Sequence, residues 1–202
     1  MKRTIFFILI SVFAVSGETP GVQLYKSEKF GQLSPDGNWG LMILTSKIKP
    51  KSETKFVENE IYSYVEDNLG PTNDSFVKLE MTPQINELLQ RMDESSLSQG
   101  TLEESLKSEL KIRCKELQLK RLMVVWKLNY QYRDPGFGDR LQSSSGGYAE
   151  MTAIIVDSEG TLLFSGKSVT NLVSAEGRGR KNSLRTLFEE TVTRFFRLCR
   201  DR

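Results

Sequence analysis

Ahead of a C-terminal amphipathic stretch the chain reads Gly177-Arg178-Gly179-Arg180-Lys181. Three cations on flexible backbone at a helix N-terminus are one way to hold an anion, because free N–H groups and the helix dipole both favour negative charge. The plainer reading is a solvated loop, with Asn182 or Ser183 as the helix cap. A second charged stretch holds Arg133, Asp134, Phe137, Asp139 and Arg140. It falls in a Gly/Ser-rich loop over 134–147 and is the expected contact surface. Cys114 and Cys199 are the two thiols, and both fall on apolar stripes. A bridge between them would close a long loop and contribute about 3–5 kcal/mol. It needs both helices on one sheet face, with Cα atoms within about 7 Å. The other reading is two buried free thiols.

The absences narrow the chemistry further. There is no histidine in the 202 residues, so Ser-His-Asp and Cys-His catalysis, imidazole haem ligation and the usual zinc sites are excluded. Two cysteines cannot form a Cys-rich metal site, and the carboxylates are scattered rather than paired across a cleft. No metal and no cofactor is expected. The segment Gly160 to Ser168, GTLLFSGKS, superficially resembles a phosphate-binding loop. It has five residues between the first glycine and Gly-Lys where that motif has about four, and its middle reads as strand. The motif is therefore rejected.

Charge and the N-terminus point to export. Lys2 and Arg3 precede an apolar run from Ile5 to Val15, and Ala14, Ser16 and Gly17 are small residues of the kind a signal peptidase cuts beside. The run is about half the ~20 residues a spanning helix needs. Residues 1–17 are thus expected to be a signal peptide, leaving about 185 residues. Lys2 and Arg3 account for the whole net charge of +2, so the exported part is formally neutral. A neutral chain gives no reason to expect nucleic-acid binding. The expected location is the periplasm or cell envelope, or the extracellular space.

The elements that must carry these residues follow from periodicity. Residues 18–38 read as an irregular leader ending in the turn Ser34-Pro35-Asp36-Gly37. A single domain over 39–202 then begins with a strand from Trp39 to Ile48, ended by Pro50. Residues 51–69 fit helix or strand, with a lean to helix over 53–68. Phe76, Val77 and Leu79 suggest a short strand. Thr82-Pro83 is a helix start, and Thr101 with Glu104 forms a capping box for the next helix. From Leu122 to Tyr132 every even position is apolar or aromatic, which predicts a strand with one covered face. Tyr148 to Val156 and Thr161 to Val173 form a hairpin about Asp157-Ser158-Glu159-Gly160. The last helix buries Leu184, Leu187, Phe188, Val192, Phe195 and Cys199. Its basic character also suits an anionic membrane surface, but the same stripe is what a sheet-covering helix needs. The expected fold is α+β: an antiparallel sheet of about four strands with helices packed on one face, a two-layer sandwich.

Within 121–202, the hairpin AIIVDSEGTLLFSGKS places Asp157, Gly160, Phe164 and Gly166 where many bacterial envelope lipoproteins have Asp, Gly, an aromatic residue and Gly. With its flanking strand and helix, it resembles small periplasmic proteins related to the TolB N-terminal and CsgG-like α/β domains. The lipid-bearing cysteine of those families is absent. The resemblance implies a non-enzymatic assembly or accessory factor with other envelope proteins as partners, and brings no catalytic residues. The alternative expectation is a small-ligand or anion-binding protein or enzyme using Arg178, Arg180 and Lys181.

Overall fold

A computed structural model describes residues 21–30, 37–44, 51–69, 76–133, 145–174 and 180–200. The expected signal peptide lies outside them. In chain order the strands are β1 (Gly21–Lys26), β2 (Trp39–Ile43), β3 (Phe76–Leu79), β4 (Arg121–Arg133), β5 (Ser145–Asp157) and β6 (Leu162–Ser174). The helices are α1 (Lys51–Leu69), α2 (Pro83–Arg91), α3 (Glu94–Ser98), α4 (Glu104–Glu116) and α5 (Arg180–Arg200), and a single 3-10 turn spans Glu28–Phe30.

The strands form one six-stranded sheet in the order β1-β6-β5-β4-β2-β3. β4, β5, β6 and β1 are joined antiparallel, whereas β2 runs parallel to both β3 and β4. The expected four-stranded antiparallel sheet is corrected to a mixed one. The reason is connectivity: parallel neighbours need a crossover, and α1 links β2 to β3 while α2, α3 and α4 link β3 to β4.

Helices cover both faces of the sheet, not one. Val57, Ile61 and Val65 of α1 share an apolar cluster with Leu184, Leu187, Phe188, Val192, Phe195 and Phe196 of α5. Ile85 and Leu89 of α2, Leu97 of α3, and Leu106 and Leu110 of α4 belong to a second cluster. Residue parity along the strands separates the two. Met123, Val125, Ala153 and Ile155 face α1 and α5, while Leu122, Val124, Ile154 and Val156 face α2 to α4. The expected two-layer sandwich is therefore a three-layer one.

Several local expectations hold. Residues 51–69 are helix. Thr82 caps α2, its Oγ1 accepting from Ile85 N at 3.2 Å. Asp157 closes the β5–β6 turn, its Oδ1 accepting from Glu159 N at 2.9 Å and Thr161 N at 2.8 Å. β6 runs unbroken from Leu162 to Ser174, so the Gly160–Ser168 stretch has no helix after it.

Others are corrected. The first strand ends at Ile43 rather than Ile48. Thr101 makes no capping box: its hydroxyl donates to Ser96 O at 3.1 Å, and α4 starts from Glu103 without a side-chain cap. The supposed leader holds β1, paired with β6 from Gly21↔Ser168 to Lys26↔Phe164, and Phe30 is fully buried. Short-range patterns miss such a strand because its partner lies more than 130 residues away in sequence.

Cys114 lies in the cluster under α4 and Cys199 in the cluster under α5, so the sheet stands between them. Both are buried, and neither is in a disulfide. The condition for a bridge, helices on the same face, is not met.

Candidate functional site

The site is built by one irregularity in β4. The register between β4 and β5 shifts between Val125 and Lys127, and the bulge reverses which parity faces which layer. Before it, even residues Leu122, Val124 and Trp126 point toward α2 to α4. After it, even residues Leu128, Tyr130 and Tyr132 point toward α1 and α5. The unbroken even-number pattern thus joins two opposite faces, where the sequence suggested a single covered face.

Beyond the bulge, the odd residues stay on the face of α2 to α4. Registry arranges them in three rows across β4, β5 and β6: Lys127, Thr152, Lys167; Asn129, Glu150, Val169; and Gln131, Tyr148, Asn171. In the first row Lys127 still meets Glu94 of α3 and Thr152 is fully buried, and the following rows open toward solvent. Asn129, Gln131 and Asn171 are exposed, and Lys127, Tyr148, Glu150, Lys167 and Val169 are half-buried. Val22 of β1, registered with Lys167, extends the first row and is 51% exposed. On the opposite side the same strands are covered: Tyr130 packs edge-on against Phe188 at 5.2 Å, and its hydroxyl donates to Glu53 of α1 at 2.7 Å.

The charges on this face are alternating and paired. Lys127 Nζ lies 2.8 Å from Glu94 of α3 and 4.2 Å from the centre of the Trp126 ring. Lys167 Nζ lies 2.9 Å from Glu150, whose other oxygen accepts from the Tyr148 hydroxyl at 2.5 Å. Burial opposes ionisation of Glu150, but the Tyr148 hydroxyl and the Lys167 ammonium outweigh it and hold the carboxyl below its usual range. The same hydrogen bond, helped by burial and the Glu150 charge, pushes Tyr148 up to about 12. Tyr148 therefore stays protonated and Glu150 charged at neutral pH. The arrangement can bind through fixed donors and acceptors, and it holds no nucleophile with an adjacent base.

Most residues of the two sites expected from sequence lie outside the described ones. Arg133 ends β4 opposite Gly146, whereas Asp134, Phe137, Asp139 and Arg140 lie outside the described residues. Arg180 and Lys181 sit in the first turn of α5, and Arg178 lies outside the described residues. The apolar stripe of α5 is buried against the sheet. Sequence reasoning missed the three-row face. Its signal was present in the polar odd positions Lys127, Asn129 and Gln131, but only the bulge reveals which layer they join.

Elsewhere, a depression of about 330 Å³ between α2 and α4 is lined by Arg91, Asp93, Ser96, Thr101 and Glu103 among others. Its Asp93 is engaged structurally: it accepts from Ser95 N at 3.2 Å and Ser95 Oγ at 2.6 Å, bonds that lower its pKa. A second depression, of about 460 Å³, lies beside β3 and α4. Among the described residues no group of three or more Cys, Asp or Glu is placed to hold a metal ion, and no helix is long and apolar enough to cross a membrane.

Fold and surface together define a class: a six-stranded mixed sheet between two helical layers, with one stretch of sheet that no helix covers among the described residues. No family model matches the chain, and no curated protein matches it. Among solved structures it is similar in fold to the PelC dodecamer from Paraburkholderia phytofirmans, with a TM-score of 0.51 at 8% identity, covering 90% of this chain and 97% of that one. A variant of that dodecamer gives a TM-score of 0.49 at 9% identity.

Proposed function

We propose that this chain is an exported, non-catalytic accessory protein that binds another envelope protein through the bare face of β4, β5 and β6. The observation that carries the reading is the three-row array itself. A solvated antiparallel face is ordinary. Here, however, the polar groups are already ordered by the Glu94–Lys127 and Glu150–Lys167 pairs, which lowers the ordering cost of docking. Tyr148 in the last row and the partly exposed Val169 and Val22 supply contact area. The alternation of charge suits a protein surface of complementary pattern rather than a polyanion, which needs an excess of cations. The neutral charge after Lys2 and Arg3, the export pattern and the lack of histidine support the same reading. The fold it resembles is built into a dodecamer in the Paraburkholderia protein, which supports assembly as a use of this architecture.

Asn129 is exposed at the centre of β4's three outward positions, so an arginine there adds bulk and charge without disturbing the core. Asn129→Arg is expected to leave the melting curve unchanged. It should weaken recovery of the partner from envelope extracts at least tenfold, about 1.4 kcal/mol. Equal partner recovery by the variant and the parent would count against this face.

A further inference from the structure

Arg121 opens β4 beside Trp39 of β2, on the face of α1 and α5. Its guanidinium carbon lies 5.5 Å from the centre of the Phe30 ring and 5.4 Å from the Trp39 ring. One end of the fork is satisfied, Nη2 donating to Phe30 O at 3.2 Å. The other is not: Nη1 is buried without a hydrogen-bond partner, and so is Nε1 of Trp39, a side chain fully withdrawn from solvent. Buried donors nearly always find acceptors, and a buried cation nearly always finds an anion.

The expected local anion does not serve. Asp157 is the register partner of Arg121 on β5, but its Oδ1 accepts from two backbone N–H groups of the turn. Among the described residues Arg121 makes no ion pair. A second cation, Lys26 Nζ, lies 5.7 Å from the centre of the same Phe30 ring. Desolvation lowers the Arg121 pKa, in keeping with a cation that lacks compensation. Two unmatched donors, one of them charged, describe half of a site whose other half is an acceptor.

We propose that Arg121 and Trp39 form a receptor for a carboxylate. The guanidinium lies beside both rings, and the donors still open are its Nη1 and the Trp39 indole N–H. An arginine fork pairs with carboxylates and phosphates alike, but a carboxylate brings one charge and two acceptor oxygens to these two donor atoms, whereas a phosphate brings further charged oxygens that find no donor among the described residues. Arg121 as a whole is half-buried although its Nη1 is not exposed, so a ligand has to enter beside the guanidinium from the solvent side, with Trp39 as the closed floor. The carboxylate belongs either to a small organic acid or to a peptide chain end.

The chain contains two tryptophans, Trp39 and Trp126, which makes the test direct. The Trp126 indole already donates to Leu89 O at 2.5 Å and serves as an internal reference. The full chain, with ¹⁵N in its tryptophans, is titrated at constant ionic strength with acetate and with a tetrapeptide bearing a free C-terminus. Chloride, phosphate and the amidated tetrapeptide are the controls. The expected result is a saturable downfield shift of the Trp39 indole N–H, with Trp126 unmoved and the controls inert. A response to acetate identifies a small acid as the source, and a response to the free peptide alone identifies a chain end. Arg121→Gln should weaken the response at least tenfold, and Arg121→Lys, which keeps the charge and loses the fork, should fall between. No shift with either carboxylate overturns the proposal. So does an equal shift with phosphate or chloride. So does a downfield position in the parent that Asp36→Asn alone abolishes, since the chain's own acid would then fill the place.

Discussion

Replacing Phe30 by alanine should destabilise the fold by about 3–5 kcal/mol, as expected for a fully buried aromatic ring in a core that relaxes only partly. Phe30 has no exposed surface and packs on Phe164 at 5.2 Å. Its backbone is fixed as well: Phe30 N donates to Ser27 O, and Ser27 N donates to Leu163 O on β6 at 2.8 Å. Removing the ring also strips one wall from Arg121, which adds the cost of a less well-packed cation. A domain of this size should lose roughly 6–20 °C in melting temperature. Chemical denaturation with an unchanged slope would assign the loss to the folded state. A change below about 1 kcal/mol would mean that residues 21–30 do not belong to the core.

Gly160→Ala should cost on the order of 2–4 kcal/mol, because two effects combine. Gly160 has φ of +72°, a left-handed conformation disfavoured for a residue with a Cβ. A Cβ there would also stand 2.2 Å from the carbonyl oxygen of Lys107 in α4. That oxygen is helical backbone and cannot simply turn aside. The tight turn between β5 and β6 would have to shift, and with it the Glu159 carboxylate that pairs with Lys111 at 2.5 Å. Thermal and urea melts measure the loss. Glu159→Ala is the matched control: it removes the exposed pairs with Lys111 and Lys115, keeps the backbone and should leave the melts nearly unchanged. If the two variants melt alike, the close approach of the turn to α4 is wrong.

How much was legible in sequence depends on the distance over which each feature is determined. The β5–β6 hairpin is set by neighbours: Asp157 and Gly160 dictate the turn, and the strands follow. The cap at Thr82 and the stripe of α5 are equally local, and both emerge from spacing alone. β1 is different, because Gly21–Lys26 becomes a strand only by pairing with β6. The parallel placement of β2 between β3 and β4 is likewise a property of the crossovers, not of the residues in Trp39–Ile43. The candidate face was hidden by the bulge beside Trp126. The even positions are apolar on both sides of it, so the sequence shows a constant pattern while the chain changes face. Whether the cysteines share a layer is undetermined by sequence for a related reason: an apolar stripe says that a helix covers a sheet, but not which side.

The separation of the two cores by the sheet underlies both the bare face and the Arg121 receptor, and the two thiols report on it. Mass spectrometry after alkylation without reductant is the direct measurement. In the folded protein Cys114 should resist labelling, since burial, aided by the Asp157 charge, pushes its thiol up to about 12. In guanidinium, with no reductant added, both Cys114 and Cys199 should take up one alkyl group each. A linked peptide pair containing Cys114 and Cys199 would place the helices α4 and α5 on the same side and contradict the three-layer arrangement.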